Sequence, residues 1–337
     1  MSTTMRRSSV LLFVVAATLA IVPGWTGDER LRLPSAGARV TAKQVAFGAD
    51  RAGALTFMGG VELSSDDRAF GGFSALTVDG EAFTLLSDGG TVLTFRMGGD
   101  WRLRQTDMFS LPAGPRTGWR KRDRDTESLT RDPTTGRVWV GFEGVNQVWR
   151  FSPGFGRAEG RAEPKAAARW PAAGGIESFT RLKNGRFIAL SEQSPPRMRE
   201  RAGLVWTKDP TVAEPAFTFR YQPSSGYDPS DMTELPDGRI MVLERAFGLP
   251  FRWYARLKIV DRIAVRSGAW VEGRTIARIA APLTSDNWEG VAATREGGST
   301  IIWLLSDDNQ MVLQRTLLLK FRLDEQRPAS RSKRGPM

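Results

Sequence analysis

The stretch DTESLTRDPTTGRVWVGFEG, from Asp125 to Gly144, decides the fold. It opens with a short strand-like run, crosses a turn between Pro133 and Gly136, and continues as an apolar run that ends in the acid Glu143. β-branched and aromatic residues are frequent in these runs, and each run is too short for a helix. The stretch therefore predicts an antiparallel β-hairpin.

The same pattern recurs four more times, which makes internal repetition the most informative feature of the chain. Each copy opens with a strand-like run, crosses a turn, and continues as an apolar run that ends in an acid. The copies repeat at intervals of about fifty residues, and their matched positions are Ser74, Glu127, Glu177, Asp231 and Glu289. A period of this length is typical of propeller blades. The sequence therefore predicts an all-β fold, a single β-propeller of five or six four-stranded blades.

Two segments before the first repeat have strand character but lack the opening motif. They run from Val40 to Phe47 and from Ala54 to Leu63. We expect these N-terminal strands to join the last blade, because this pairing closes the ring and leaves no unpaired strand edge. The long stretch from Arg252 to Leu283 leaves room for a sixth blade.

The composition excludes several classes of chemistry, because the chain contains no cysteine and no histidine. Cysteine nucleophiles, disulfides, Cys/His zinc sites and a Ser-His-Asp triad are therefore impossible. Catalysis would have to use carboxylates, Lys or Arg, Tyr, hydroxyls or a hard metal ion. The net charge is +11, but the one short basic cluster, Arg120 to Arg124, is interrupted by Asp123. A dense basic stripe is missing, so we expect no nucleic-acid partner.

The N-terminus has the layout of a signal peptide. Arg6 and Arg7 precede an apolar run from Val10 to Val22, which is too short to span a bilayer comfortably. We expect export to the periplasm or secretion, with an uncleaved anchor in the inner membrane as the alternative. The chain thus divides into a signal peptide or N-terminal anchor (1–24), a linker (25–39), a propeller domain (40–325) and a disordered basic tail (326–337).

Hairpin pairing predicts that acids distant in sequence meet at one end of the ring. In an antiparallel hairpin the start of the first strand lies beside the end of the second. The expected neighbours are Ser74 and Asp88, Glu127 and Glu143, Glu177 and Glu192, Asp231 and Glu244, and Glu289 and Asp307. Carboxylates this close raise one another's pKa, so a compensating charge is required.

A hard cation such as Ca²⁺, which takes about six to eight oxygen ligands, is the simplest compensator in a chain without histidine or cysteine. Arg245 is a second candidate, able to pair with a carboxylate or to grip an anionic ligand. One alternative stays open: acids at these positions also serve to accept hydrogen bonds from neighbouring backbone N–H groups.

Four short motifs carry a resemblance to a known family: Glu127 to Thr130 (ESLT), Met241 to Arg245 (MVLER), Glu289 to Ala292 (EGVA) and Leu305 to Asn309 (LSDDN). Together they resemble the phytase-like family of exported bacterial proteins, known for the esterase-like activity of phytase, over roughly Gly53 to Leu323. The resemblance implies a β-propeller related to calcium-dependent phytases and hydrolysis of phosphoesters or carboxylesters. Ser74 stands where the other repeats carry an acid, so a ligand is expected to be missing there.

The leading functional hypothesis is Ca²⁺-assisted hydrolysis of an anionic small-molecule ester. Arg245 would bind the substrate anion, and Asp307 or Glu244 would accept a proton from the attacking water. Two alternatives share the fold: a non-catalytic binding or scaffold propeller with structural Ca²⁺, and a lactonase-type hydrolase. The predicted metal ligands are Asp88, Glu127, Glu177, Asp231 and Glu289.

Overall fold

The computed structural model describes residues 30–118, 120–195, 198–249 and 252–324. The predicted leader and the predicted basic tail lie outside the described residues, and only residues 30–39 of the predicted linker lie within them. Nearly all regular structure in the described part is β-strand. No helix in this part is both long and apolar enough to span a bilayer.

Antiparallel hairpins build five blades, and each blade begins with the strand that the repeated motif opens. Blade 1 contains β4 (Phe73–Asp79), β5 (Ala82–Ser87), β6 (Thr91–Met97) and β7 (Leu103–Ser110). Blade 2 contains β8 (Thr126–Arg131), β9 (Val138–Phe142), β10 (Gln147–Phe151) and β11 (Ala158–Ala162). Blade 3 contains β12 (Ile176–Arg181), β13 (Phe187–Ser191), β14 (Arg201–Trp206), β15 (Phe217–Gln222) and the later β19 (Trp270–Glu272).

The last two blades differ from the others in how their outer strands are supplied. Blade 4 contains β16 (Asp228–Glu234), β17 (Ile240–Gly248), β18 (Arg252–Val260) and β20 (Arg274–Ile279). Blade 5 contains β21 (Asn287–Glu296), β22 (Ser299–Asp307), β23 (Thr316–Leu323) and the N-terminal strands β1 (Val40–Gln44), β2 (Arg51–Ala52) and β3 (Leu55–Ser65). Short 3₁₀ turns lie at Lys121–Asp123, Pro153–Phe155, Lys165–Ala167 and Arg262–Ala264.

The ring is closed by pairing the N-terminal strand β3 with β23 in blade 5. The two strands are antiparallel, with Val61 opposite Leu318 and Leu63 opposite Thr316, and β1 pairs with the outer side of β3. The prediction that N-terminal strands complete the last blade is confirmed. The stretch from Arg252 to Leu283 forms no sixth blade, because β18 and β20 complete blade 4 and β19 adds a parallel strand to blade 3.

Apolar side chains are buried between neighbouring blades. Leu243 of blade 4 packs in one cluster with Trp288 and Phe321 of blade 5, and Phe73 of blade 1 packs with Trp303 of blade 5. The first strands β4, β8, β12, β16 and β21 contact one another in this order, and β21 contacts β4. These contacts place the start of every first strand around one axis.

Val61 tests the closure of the ring. Its side chain is fully buried between blades 5 and 1, although its partner in the pairing, Leu318, lies near the other end of the described chain. We expect Val61→Ala to lower the free energy of unfolding by about 2 kcal/mol, from lost apolar burial and the cavity left behind. Met58→Ala on the same strand, where the side chain is exposed, should change it by less than about 0.5 kcal/mol. Equal effects of the two substitutions in urea unfolding would contradict this closure.

Candidate functional site

A β-bulge occurs at the same place in all five blades, near the start of the first hairpin. There the pairing skips one residue of the first strand, and this irregularity changes the direction in which the side chain of the skipped residue points. We call the end of the propeller where these bulges lie the mouth face, and the bulged residues the bulge ring. The bulge ring consists of Ser74, Glu127, Glu177, Ser230 and Glu289.

A second set of side chains lies beside the bulge ring, one from each blade. In each blade the residue before the bulge pairs with a residue of the second strand, as Thr126 pairs with Phe142. The residue that follows this partner in sequence lies at the mouth face. We call these residues the exit ring: Asp88, Glu143, Glu192, Arg245 and Asp307.

The carboxylates of the two rings converge on Glu143. Oxygens of Asp125, Glu127 and Glu143 lie within 4.8 Å of one another, and so do oxygens of Glu143, Glu177 and Glu192. Glu177 and Glu192 are buried, whereas the other three are half-buried. The backbone N–H of Gly174 also donates to Glu143. Glu143 therefore joins two three-carboxylate groups, each able to offer several oxygens to one cation.

Burial and like charge raise the pKa values of four of these acids, Asp125, Glu127, Glu143 and Glu177. Burial raises the pKa of Glu143 to about 7, and the charge of Asp125 adds to the effect. The pKa of Asp125 itself is raised to about 6 by burial and by Asp88. Burial, reinforced by neighbouring carboxylates, raises the pKa values of Glu127 and Glu177 well above the usual range. The mouth is therefore a place where negative charge is costly and a cation is favoured.

Two basic side chains partly compensate for this charge. Arg245 Nη2 donates to Glu192 Oε1 at 2.7 Å, and Arg245 Nη1 lies 2.7 Å from Glu289 Oε1. Arg245 Nε is buried and has no hydrogen-bond partner among the described residues. Lys121 forms an ion pair with Asp88. Burial lowers the pKa of Lys121, but the attraction of Asp88 outweighs burial and raises it overall.

Asp231 does not lie in the bulge ring, because the bulge in blade 4 falls on Ser230. Both oxygens of Asp231 accept backbone hydrogen bonds, from Met232 N at 2.7 Å and from Val291 N of the next blade at 2.8 Å. Asp231 therefore links blade 4 to blade 5 instead of offering free oxygens to a metal. At this position the acid serves to accept backbone hydrogen bonds, which is the alternative to metal binding that the sequence left open.

Glu244 directly precedes Arg245 of the exit ring in the sequence, and its side chain is fully buried between blades 3 and 4. Its carboxylate accepts hydrogen bonds from Tyr221 Oη at 2.7 Å and from Ser224 N at 3.2 Å, and Lys258 Nζ lies 3.5 Å away. The pairing of Asp231 with Glu244 at the mouth is therefore wrong. Ser230 and Arg245 occupy the two ring positions of blade 4 in their place.

Sequence reasoning missed three charged residues at the mouth: Lys121, Asp125 and Asp308. Asp125 is the first residue of the stretch from Asp125 to Gly144 and lies two positions before Glu127, so it could have been identified from the sequence. Lys121 lies in the irregular connection between β7 and β8, where no repeat predicts the path of the chain. Asp308 follows the exit ring and accepts hydrogen bonds from Gly72 N and Gln310 N, both at 2.8 Å.

The sequence matches the model of one known family. The family model described as "Esterase-like activity of phytase" matches residues 68–310. The chain belongs to the phytase-like family. No curated protein matches the sequence of this phytase-like propeller.

Similar solved structures are distant from this phytase-like propeller. The major allergen Mala s 1 of Malassezia sympodialis is 12% identical, with 83% of this chain and 92% of that chain covered and a TM-score of 0.40. A putative 6-phosphogluconolactonase of Bacteroides uniformis is 13% identical, with 78% and 79% covered and a TM-score of 0.38. Hydrazine synthase of Kuenenia stuttgartiensis is 13% identical, with 74% and 71% covered and a TM-score of 0.40. Similarity at this level carries no argument about function.

The raised pKa values predict how stability depends on pH when a chelator is present. For Glu143 and Glu289 the pKa rises from 4.5 to about 7 in the folded state, so the folded protein binds protons more tightly between these values. The free energy of unfolding should therefore fall as the pH rises from about 4.5 to 7, and added Ca²⁺ should reduce this fall. Urea unfolding at a series of pH values checks it. Stability that rises through this window would contradict the described environment of these acids.

The structural role of Asp231 predicts a separation between stability and cation binding. We expect Asp231→Ala to lower the free energy of unfolding by about 1–3 kcal/mol, because Val291 N loses its acceptor in the interior. The affinity of the folded variant for Ca²⁺, measured by calorimetry, should stay within about threefold of the parent protein. A loss of affinity of about 100-fold would show that Asp231 is a ligand after all.

Proposed function

We propose that this phytase-like propeller is an exported, cation-dependent hydrolase of anionic phosphoesters or carboxylesters. One observation carries the proposal: Glu143 is shared by two groups of three carboxylates in the mouth, and burial raises the pKa values of Asp125, Glu127, Glu143 and Glu177. A protein gains nothing in stability from such a cluster unless a cation occupies it. The export part of the proposal is supported by the leader-like sequence of residues 1–24.

The donor set fits a hard cation. Every acidic group at the mouth offers oxygen, and the chain has neither histidine nor cysteine, which is the ligand chemistry that Ca²⁺ prefers. Glu143 takes the place that the sequence assigned to Asp231. The ligands in this proposal are Asp125, Glu127, Glu143, Glu177 and Glu192, with Asp88 and Glu289 next to them on the rings.

Arg245 supports binding of the substrate anion. Its two terminal nitrogens are held by Glu192 and by Glu289 with Asn287, which fixes the guanidinium in the mouth. The side chain remains 22% exposed, so the guanidinium can attract an ester or phosphate anion that enters the mouth. The side chain is pre-positioned, and little conformational entropy is lost when a ligand binds.

Asp307 is the proton acceptor in this proposal. Burial and the charge of Asp88 raise its pKa well above the usual range, which makes it a stronger base than an ordinary aspartate. Glu244, the other acceptor considered from the sequence, is enclosed by Tyr221 and Lys258 away from the rings. A cation bound nearby would supply the remaining chemistry, by polarising the ester and lowering the pKa of the attacking water.

The test is hydrolysis of chromogenic phosphoester, carboxylester and lactone substrates by the purified protein, with and without EDTA. Turnover should disappear with EDTA and return with Ca²⁺. Glu143→Gln should lower kcat/KM by about 100-fold or more, because it weakens both carboxylate groups. Asp79→Asn is the matched control, since this carboxylate is exposed at the opposite end of the propeller, and it should leave turnover unchanged.

The possible outcomes separate the hypotheses. Turnover that persists in EDTA would refute the cation-dependent mechanism. Ca²⁺ that raises the melting temperature without turnover of any substrate would favour a binding or scaffold propeller with structural Ca²⁺. Turnover of lactones alone would favour the hypothesis of a lactonase-type hydrolase.

A further inference from the structure

Exposed apolar side chains are concentrated on the mouth face. Of the others in the described part of the chain, Met58 and Trp270 lie on strands, and Val212 and Ile263 lie on separate connections at the opposite end. Along the mouth face the exposed apolar side chains lie on connections of blades 3, 4 and 5, at the end of β17 in blade 4, and on the segment before β1. In the described part of the chain they are Leu33, Met198, Phe247, Leu249, Val312 and Leu313.

The same face is basic outside its central rings. On the described connections of the mouth face, the exposed carboxylates are Asp66 and Glu163. At the opposite end exposed cations alternate with exposed acids such as Asp50, Glu81 and Asp100. The mouth face instead exposes many more cations than acids, among them Arg116, Arg120, Arg122, Lys165, Arg169 and Arg199.

This pattern is the inverse of an ordinary protein interface. A protein interface has an apolar centre and a polar rim, whereas here the centre is a recessed cluster of carboxylates and the apolar side chains stand on the rim. Isolated aliphatic side chains on a face rich in arginine are typical of a protein surface that inserts shallowly between lipid headgroups. Each arginine near an anionic leaflet adds attraction over about a Debye length.

The start of the described chain lies on the same face. Arg30 pairs with Arg120 of the β7–β8 connection, and Leu31 lies against Gly89. The apolar run of the predicted leader or anchor ends at Val22, eight positions earlier in the sequence. Eight extended residues reach about 29 Å at most, so a bilayer that held this run would lie close to the mouth face.

We propose that the mouth face docks on an anionic phospholipid bilayer, with Leu249 and Val312 inserted between headgroups and Arg116 and Arg122 on lipid phosphates. Docking in this orientation places the carboxylate rings against the lipid surface. The inference does not depend on hydrolysis, because a scaffold propeller with the same face would dock in the same way.

The absence of cysteine allows a direct test with the full chain. A single cysteine at Leu249→Cys or Val312→Cys would carry the environment-sensitive dye NBD. Ile263→Cys is the matched control, because Ile263 is 88% exposed at the opposite end and Leu249 is 87% exposed. Val212→Cys is a second control on that end. The dye reports its own surroundings, so binding through the leader alone gives no signal specific to one face.

Vesicles of phosphatidylcholine with phosphatidylglycerol should raise NBD emission about threefold or more at Leu249→Cys and Val312→Cys and leave both controls unchanged. Vesicles of phosphatidylcholine alone should give a much smaller increase. Equal changes at both ends, or no change at Leu249→Cys and Val312→Cys, would overturn the proposal. An increase with envelope protein extract and none with vesicles would also overturn it, in favour of a protein partner.

The contribution of the arginines to docking is tested with two double variants, one on each end of the propeller. Arg116→Gln with Arg122→Gln should weaken partitioning to the anionic vesicles about 30-fold, since each arginine contributes roughly a factor of five. Arg102→Gln with Arg266→Gln, exposed at the opposite end, should change it less than about twofold. Equal losses in the two double variants would contradict docking through the mouth face.

Discussion

Backbone pairing between β3 and β23 is the constraint on which the rest of the structure depends. It joins the N-terminal part of the chain to the last blade, so the five first strands must surround one axis. Because each first strand carries a bulge at the same place, the five side chains of the bulge ring and the five of the exit ring meet at one mouth. Residues as far apart in sequence as Asp88 and Asp307 become electrostatic neighbours for this reason alone.

At the mouth, the fold holds carboxylates in surroundings that disfavour their negative charge. Burial disfavours each carboxylate, neighbouring carboxylates disfavour it further, and the folded state must offset both costs through apolar packing between blades. Lys121 and Arg245 relieve part of the repulsion at Asp88, Glu192 and Glu289. In the group around Glu143, Glu192 pairs with Arg245, but among the described residues Asp125, Glu127, Glu143 and Glu177 have no basic partner at ion-pair distance, so a bound cation has most to contribute there.

The propeller was predictable from sequence because its repeats, turns and apolar runs agree with one another. The closing strands were predictable because an open ring would leave a strand edge unpaired. The site was predictable only in part. A simple hairpin register places Asp231 and Glu244 at the mouth, but a bulge shifts the register by one residue, and sequence spacing does not reveal which residue is skipped. Lys121 lay beyond prediction because an irregular connection carries it to the mouth.

The position of a bound cation tests the central claim most directly. Crystals grown with Ca²⁺ and measured at a long X-ray wavelength would show it as anomalous difference density. The account predicts a peak in the mouth, about 2.3–2.6 Å from an oxygen of Glu143 and from oxygens of Glu127 or Glu177. Density confined to exterior carboxylates, with Glu143 free of any ion, would contradict it.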